Sequence, residues 1–173
     1  MITIKSKRFV LRSYERGDEK SLQKNVNDKD IYKYTLRIPY PYTIKVAKKW
    51  ISYCRNELKK KTPKEISFAI DVDGDVVGAV GLHNIEKNHK AEIGYWIGKK
   101  HWNRGLMTKA VKLVTNFGFN KLKLRRIYAN VFSVNRASAK VLEKNEYKLE
   151  GKMKNYHIKD EKLIDALLYA KSK

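Results

Sequence analysis

Ala91-Glu92-Ile93-Gly94-Tyr95-Trp96-Ile97-Gly98 runs through Lys99-Lys100-His101 into Trp102-Asn103-Arg104-Gly105-Leu106-Met107-Thr108, and the reading of this stretch decides the fold. A strand pattern meets a sharp turn bearing Arg and Gly, and a helical pattern follows. Such a turn leaves the first backbone N–H groups of the helix unpaired beside the positive end of its dipole. That arrangement suits a phosphate.

Working outward, Ile66, Phe68, Ile70 and Val72 alternate in the two-residue period of a strand, and Asp73-Gly74 closes a hairpin into Val76 to His83. Asn88-His89 marks a turn into Ala91 to Ile97. Upstream, Phe9 to Arg12 reads as a strand and Asp18 as the N-cap of a short helix from Glu19 to Asn27. A second helix starts at Thr43 after Pro39-Tyr40-Pro41-Tyr42 and ends in Lys59-Lys60-Lys61. Downstream, Ala110, Val111, Val114 and Phe117 continue the helix that opens at the glycine turn. A strand from Arg126 to Phe132, a helix from Asn135 to Lys144 and strands over Tyr147 to Lys152 and Leu163 to Tyr169 complete the order. Antiparallel hairpins followed by strand, helix, strand predict one α/β (α+β) domain, residues 1–173, with a mixed sheet flanked by helices.

Composition narrows the class. The chain of 173 residues is 42% hydrophobic, enough for one domain with a sizeable core. It has neither an apolar run of spanning length nor a signal-peptide core, so a cytoplasmic protein is expected. Cys54 is the single cysteine and sits at helical spacing with Val46, Ala47, Trp50, Ile51 and Leu58, as a packed thiol would. Histidines 83, 89, 101 and 157 show no metal-ligand spacing, and Asp71 to Asp75 reads as a turn rather than a calcium loop, so no metal is expected. The net charge of +21 favours anionic partners, but 30 of the 39 basic residues are Lys, spread through nearly every segment. No basic face follows from that distribution.

Gly78-Ala79-Val80-Gly81-Leu82, Ala91 to Ile97, Trp102 to Ala110 and Asn135-Arg136-Ala137-Ser138, in this order and spacing, resemble the GNAT acetyltransferases. Within them the chain is similar to the RimJ/RimL group, which acetylates N-terminal amines of ribosomal proteins. The likeness runs from Phe9 to Tyr169. It implies a sheet splayed to admit acetyl-CoA, with the backbone of Tyr95, Trp96, Ile97 and Gly98 along the pantetheine arm. The turn Arg104, Gly105, Leu106, Met107 and Thr108 would wrap the pyrophosphate, and Asn135 and Ser138 would also contact the cofactor. Trp102 and Met107 depart from the usual Gln or Arg and Gly or Ala of the turn. Asn103 stands where Gly is common, which calls for a left-handed backbone there.

Acetyl transfer to an amine requires a proton to leave an ammonium and benefits from a donor to the departing thiolate. The resemblance makes Glu92 the base candidate and Ser138 the group near the sulfur. The tyrosine that many members use as the acid is replaced by Leu142. One helical turn places Asn135 and Ser138 on one face, with Asn135 also an N-cap. A polyamine site needs carboxylates, and 18 acidic against 39 basic residues oppose it. The expected acceptor is therefore a protein N-terminal amine, such as that of a ribosomal protein, with weak electrostatic RNA or ribosome contact and a monomer or homodimer. Tyr32, Tyr34, Tyr40 and Tyr42 are candidates for the acceptor wall. The alternatives are a small amine (polyamine, antibiotic or amino acid) as acceptor, and a non-catalytic acetyl-CoA or RNA-binding module.

Overall fold

The structure is a computed structural model and describes residues 2–173. Eight strands form one sheet in the order β1-β2-β3-β4-β5-β6-β8-β7. The strands are β1 (Thr3–Lys5), β2 (Val10–Arg12), β3 (Ile66–Val72), β4 (Asp75–His83), β5 (Lys90–Ile97), β6 (Arg126–Phe132), β7 (Lys148–Lys159) and β8 (Lys162–Ser172). The helices are α1 (Glu19–Val26), α2 (Lys29–Lys33), α3 (Ile44–Glu57), α4 (Leu106–Asn120) and α5 (Arg136–Glu143). All strand pairs are antiparallel except β5 with β6.

Side-chain alternation builds a core on each face of the sheet. Ile66, Phe68 and Ile70 of β3 join Val80, Leu82 and Ile93 under α4 and α5. Ala69, Val76 and Ala79 face the other way, against Leu22 and Val26 of α1 and Ala47, Ile51 and Cys54 of α3. Cys54 is buried there, and burial pushes its thiol well above the ordinary range, as packing predicts. Asp73 (φ 53°) and Gly74 (φ 89°) both adopt positive φ in the β3–β4 turn, the geometry that favours an Asp-Gly pair.

Three expectations change. Asp18 sits at the N-cap position of α1 but makes no side-chain cap bond. Its carboxylate instead accepts both terminal guanidinium nitrogens of Arg12, at 2.8 and 2.9 Å, because a charged donor outcompetes a helix N–H. The closing strands are longer than the apolar pattern indicated: β7 and β8 continue to a turn at Asp160 and Glu161, both at positive φ. The short elements β1 and α2 carry too few residues for a period to show.

Candidate active site

β5 and β6 pair only at Lys90–Arg126, Ala91–Ile127 and Glu92–Tyr128. Beyond Glu92 the two strands part, and β5 has no strand partner on that side. The gap opens into a cavity of about 1430 Å³ that runs from the α4 turn to the α3 face. Its walls include Tyr95, Trp96 and Ile97, the turn residues Gly105 to Thr108, and Asn135 and Ser138.

The turn has the geometry its sequence requires. Asn103 (φ 57°) and Gly105 (φ 72°) are left-handed, which Asn tolerates and Gly adopts freely. Gly105 takes the N-cap position of α4 with no side-chain cap, and a Cβ built there would meet nothing within 4 Å. The N–H groups of Gly105, Leu106, Met107 and Thr108 have no acceptor among the described residues. Trp102 explains its own departure from the family pattern. Its indole N–H donates to the Ile97 carbonyl at 2.8 Å and ties the turn to the end of β5. At the other side, the buried Asn145 amide donates to the Thr108 carbonyl at 3.1 Å and to Val141 at 2.8 Å, fastening α4 to α5.

Two of the cofactor candidates stand apart from the cavity wall. Gly98 is buried behind it, with its N–H donated to the Val77 carbonyl at 2.8 Å and Asn25 packed beside its α-carbon. Arg104 also lies outside the lining, and its carbonyl accepts Arg8 Nη1 at 2.7 Å. The Ile97 carbonyl is already occupied by Trp102, so the strand groups free for a ligand are those upstream of it. Met107 is buried against the core at the foot of the turn, which shows why an apolar residue serves there.

On the α5 side, the Asn135 carboxamide oxygen accepts the Ser138 N–H at 3.1 Å, so Asn135 is an N-cap. Ser138 Oγ lies 2.9 Å from the Tyr95 hydroxyl, which also donates to the Ser138 carbonyl at 3.1 Å. Burial raises the Tyr95 phenol well above its ordinary range, so it is a neutral donor. Leu142 is fully buried and is packing.

Glu92 reaches the same cavity from the opposite face of β5. One oxygen accepts Asn84 Nδ2 and the other Asn130 Nδ2, each at 3.2 Å. Sequence reasoning passed over both amides, and over His83 and Glu65, which also line the cavity. Glu65 Oε1 stands 2.8 Å from His83 Nδ1. The tyrosine cluster divides: Tyr34 and Tyr42 line the cavity with Leu36, Ile38 and Trp50, while Tyr32 turns away to meet Lys159 and Asp160 at the tip of the β7–β8 hairpin and Tyr40 of the loop before α3. Of the lysines near the turn, Lys99 is paired with Asp30. Among the described residues no group of three or more His, Cys, Asp or Glu stands ready to hold a metal ion, and no helix is long and apolar enough to cross a membrane.

The chain matches the acetyltransferase (GNAT) domain family model over residues 8–148. It is 29% identical over 171 residues to the uncharacterized N-acetyltransferase p20 of Bacillus licheniformis, covering 98% of this chain and 96% of that one. To the probable N-acetyltransferase YjcK of Bacillus subtilis it is 32% identical over 153 residues, covering 86% and 84%. Among solved structures it superposes on a probable acetyltransferase with a TM-score of 0.90 at 25% identity, over 99% and 97% of the two chains. It superposes on RimL, a ribosomal alpha-N-protein acetyltransferase in complex with coenzyme A, with a TM-score of 0.89 at 22% identity, over 99% and 98%. The unpaired N–H groups of the α4 turn and the open space beside Gly105 fit the pyrophosphate of coenzyme A and its acetyl thioester, and the unpartnered edge of β5 fits the amide arm. The protein belongs to the GNAT acetyltransferases, N-acetyltransferases that take their acetyl group from acetyl-CoA.

Proposed function

We propose that the protein acetylates the N-terminal amine of a peptide or protein, a ribosomal protein among the candidates. The observation that carries this reading is the charge of the acceptor side. Three carboxylates line the cavity: Asp30 is paired with Lys99, Glu65 with His83, and Glu92 with two neutral amides. Glu92 is thus the one lining carboxylate without a basic partner among the described residues, while Arg37, Lys49, Arg136, Lys140 and Lys144 line the same space. Such a site meets one ammonium and repels a polycation. The apolar wall of Tyr34, Leu36, Ile38, Tyr42 and Trp50 gives the rest of an extended chain a surface to lie on. The +21 charge favours approach to an RNA-bound substrate, with strong salt dependence.

Bound acetyl-CoA supplies a thioester carbon for the amine to attack and a thiolate as leaving group. The chain supplies the rest. Gly105 to Thr108 would hold the pyrophosphate through backbone N–H groups, and Tyr95 and Trp96 would position the arm. Glu92 meets and orients the acceptor ammonium, which sheds a proton within this site before the amine attacks. Ser138, oriented by Tyr95, offers its hydroxyl hydrogen to the sulfur.

A small amine is the second reading, favoured by the 25% identity over 144 residues to the spermidine N(1)-acetyltransferase of Escherichia coli. Acceptor competition separates the two. A peptide with a free N-terminus is expected to be acetylated on its α-amine with higher kcat/KM than spermidine or free amino acids, and an N-blocked copy is expected to be inert. Preference for spermidine overturns the proposal.

A further inference from the structure

His83 and Glu92 stand directly opposite one another in the β4–β5 ladder, so their side chains share a face with Cβ atoms about 5 Å apart. Glu65, just before β3, completes the row. Its Oε1 lies 2.8 Å from His83 Nδ1, and Tyr53 of α3 donates its hydroxyl to the other oxygen at 3.2 Å. The His83–Glu65 contact is off-line for an ideal hydrogen bond, yet both atoms are buried and neither has another partner among the described residues. Each is the nearest polar group to the other, at charge-pair distance in a site with no other polar group among the described residues to serve them. Glu65 is 8% exposed and the His83 side chain 17%, so the pair is shielded from water while both residues border the cavity.

A carboxylate at Nδ1 holds the proton there and leaves Nε2 bare. Nε2 lies over Gly94: a Cβ at that position would come within 2.9 Å of it. Gly94 faces the cavity two residues beyond Glu92 on the same side of β5. The missing side chain is therefore what leaves room for Nε2 over Gly94, on the cavity wall that Glu92 also lines. Glu92, by contrast, has both oxygens already accepting amide hydrogens. It is well placed to bind an ammonium, and an imidazole is the side chain that exchanges a proton near neutral pH.

We infer that His83, oriented by Glu65, receives the proton of the acceptor ammonium held at Glu92. In this step one N–H bond of the ammonium breaks, the proton bonds to Nε2, and the electron pair stays on the amine nitrogen. The imidazolium so formed lies between the Glu65 and Glu92 carboxylates, and the proton then passes to water. The other titratable groups facing this row are Lys49, Tyr53 and Cys54 of α3, Tyr128 of β6 and Tyr156 and His157 of β7. Burial and the nearby Glu65 carboxylate push Tyr53 up to about 12, so it stays a neutral donor across the working range. Desolvation lowers His157 below the ordinary imidazole range.

The inference rests on amine acetylation at the Glu92 face and not on the acceptor being a peptide. One arm of the test therefore needs no acceptor. Imidazole ¹⁵N shifts of the protein without ligand are expected to show His83 as the Nδ1–H tautomer, and Glu65→Gln is expected to mix the tautomers. The second arm uses whichever amine turns over. His83→Gln is expected to lower kcat at pH 7 by about a hundredfold with little change in KM, and to make kcat climb with pH as free amine accumulates. Glu92→Gln is expected to act chiefly on KM. An Nε2–H tautomer at His83, or a His83→Gln variant with the parent kcat and pH profile, overturns the assignment.

Discussion

The Tyr95 hydroxyl and Ser138 Oγ meet at 2.9 Å across the cavity, joining the parted end of β5 to the first turn of α5. The phenol also reaches the Ser138 carbonyl, and its single hydrogen can serve only one of the two oxygens. When it serves Oγ, the serine hydrogen is free to point into the cavity. Ser138→Ala should therefore lower kcat by about ten- to a hundredfold, the value of a hydrogen bond to a charged atom, and leave acetyl-CoA affinity nearly intact. Tyr95→Phe should cost less, and the double variant should cost less than the sum. Additive losses in steady-state kinetics would separate the two residues.

Gly105→Val places a β-branched side chain at φ 72° and in the open space above the α4 turn. The backbone strain should cost about 1–2 kcal/mol in denaturant unfolding. The larger effect should be functional: the thermal stabilisation that acetyl-CoA gives the parent should vanish. Retained stabilisation would take the turn out of the site.

Asp18 offers a choice between two origins of stability. Asp18→Ser keeps a good N-cap and removes the partner of Arg12, whose side chain is only 14% exposed. If the cap mattered the variant would be neutral. The ion pair predicts a loss of about 2–3 kcal/mol, reduced from a fully orphaned charge because Asp71 remains 2.6 Å from Arg12 Nε. Chemical denaturation decides.

Acid should weaken the fold in one direction. Lys60, Arg126 and Lys171 hold Glu57, Glu150 and Glu146 below the ordinary carboxylate range. A depressed carboxylate stabilises the folded state above its unfolded pKa and loses that contribution as pH falls through its folded value. Tm should be level between about pH 6 and 8 and fall below about pH 4.5, more steeply at low salt because the net charge of +21 grows further. A Tm that rises on acidification would refute this.

The parts of the site legible in the sequence are local ones. Asp73-Gly74, Asn103, Gly105 and Asn135 each fix a backbone conformation or a cap within a few residues, and each stands where its chemistry indicated. The rest depends on register. Counting outward from the Asp73-Gly74 turn, where Val72 faces Asp75, would set Glu65 opposite Leu82. A bulge shifts the ladder so that Ile70 faces Gly78 and Ile66 faces Leu82, and this brings Glu65 to His83. Nothing in the run Val76-Val77-Gly78 announces the extra residue. Asn130 likewise reaches Glu92 across 38 residues only because β6 pairs with the first half of β5. The outer half of β7, Met153 to Lys159, hides its period because Lys, Asn and His fill an edge strand with little core to face.

Amide hydrogen exchange with and without acetyl-CoA locates the cofactor on the chain. New protection is expected at Gly105 to Thr108, whose N–H groups lack acceptors among the described residues, and along Ile93 to Ile97 where β5 has lost its partner. ATP alone should protect the turn weakly and leave β5 unchanged. Protection confined to other segments, or none at saturating acetyl-CoA, would contradict the placement of the cofactor in the β5–β6 splay.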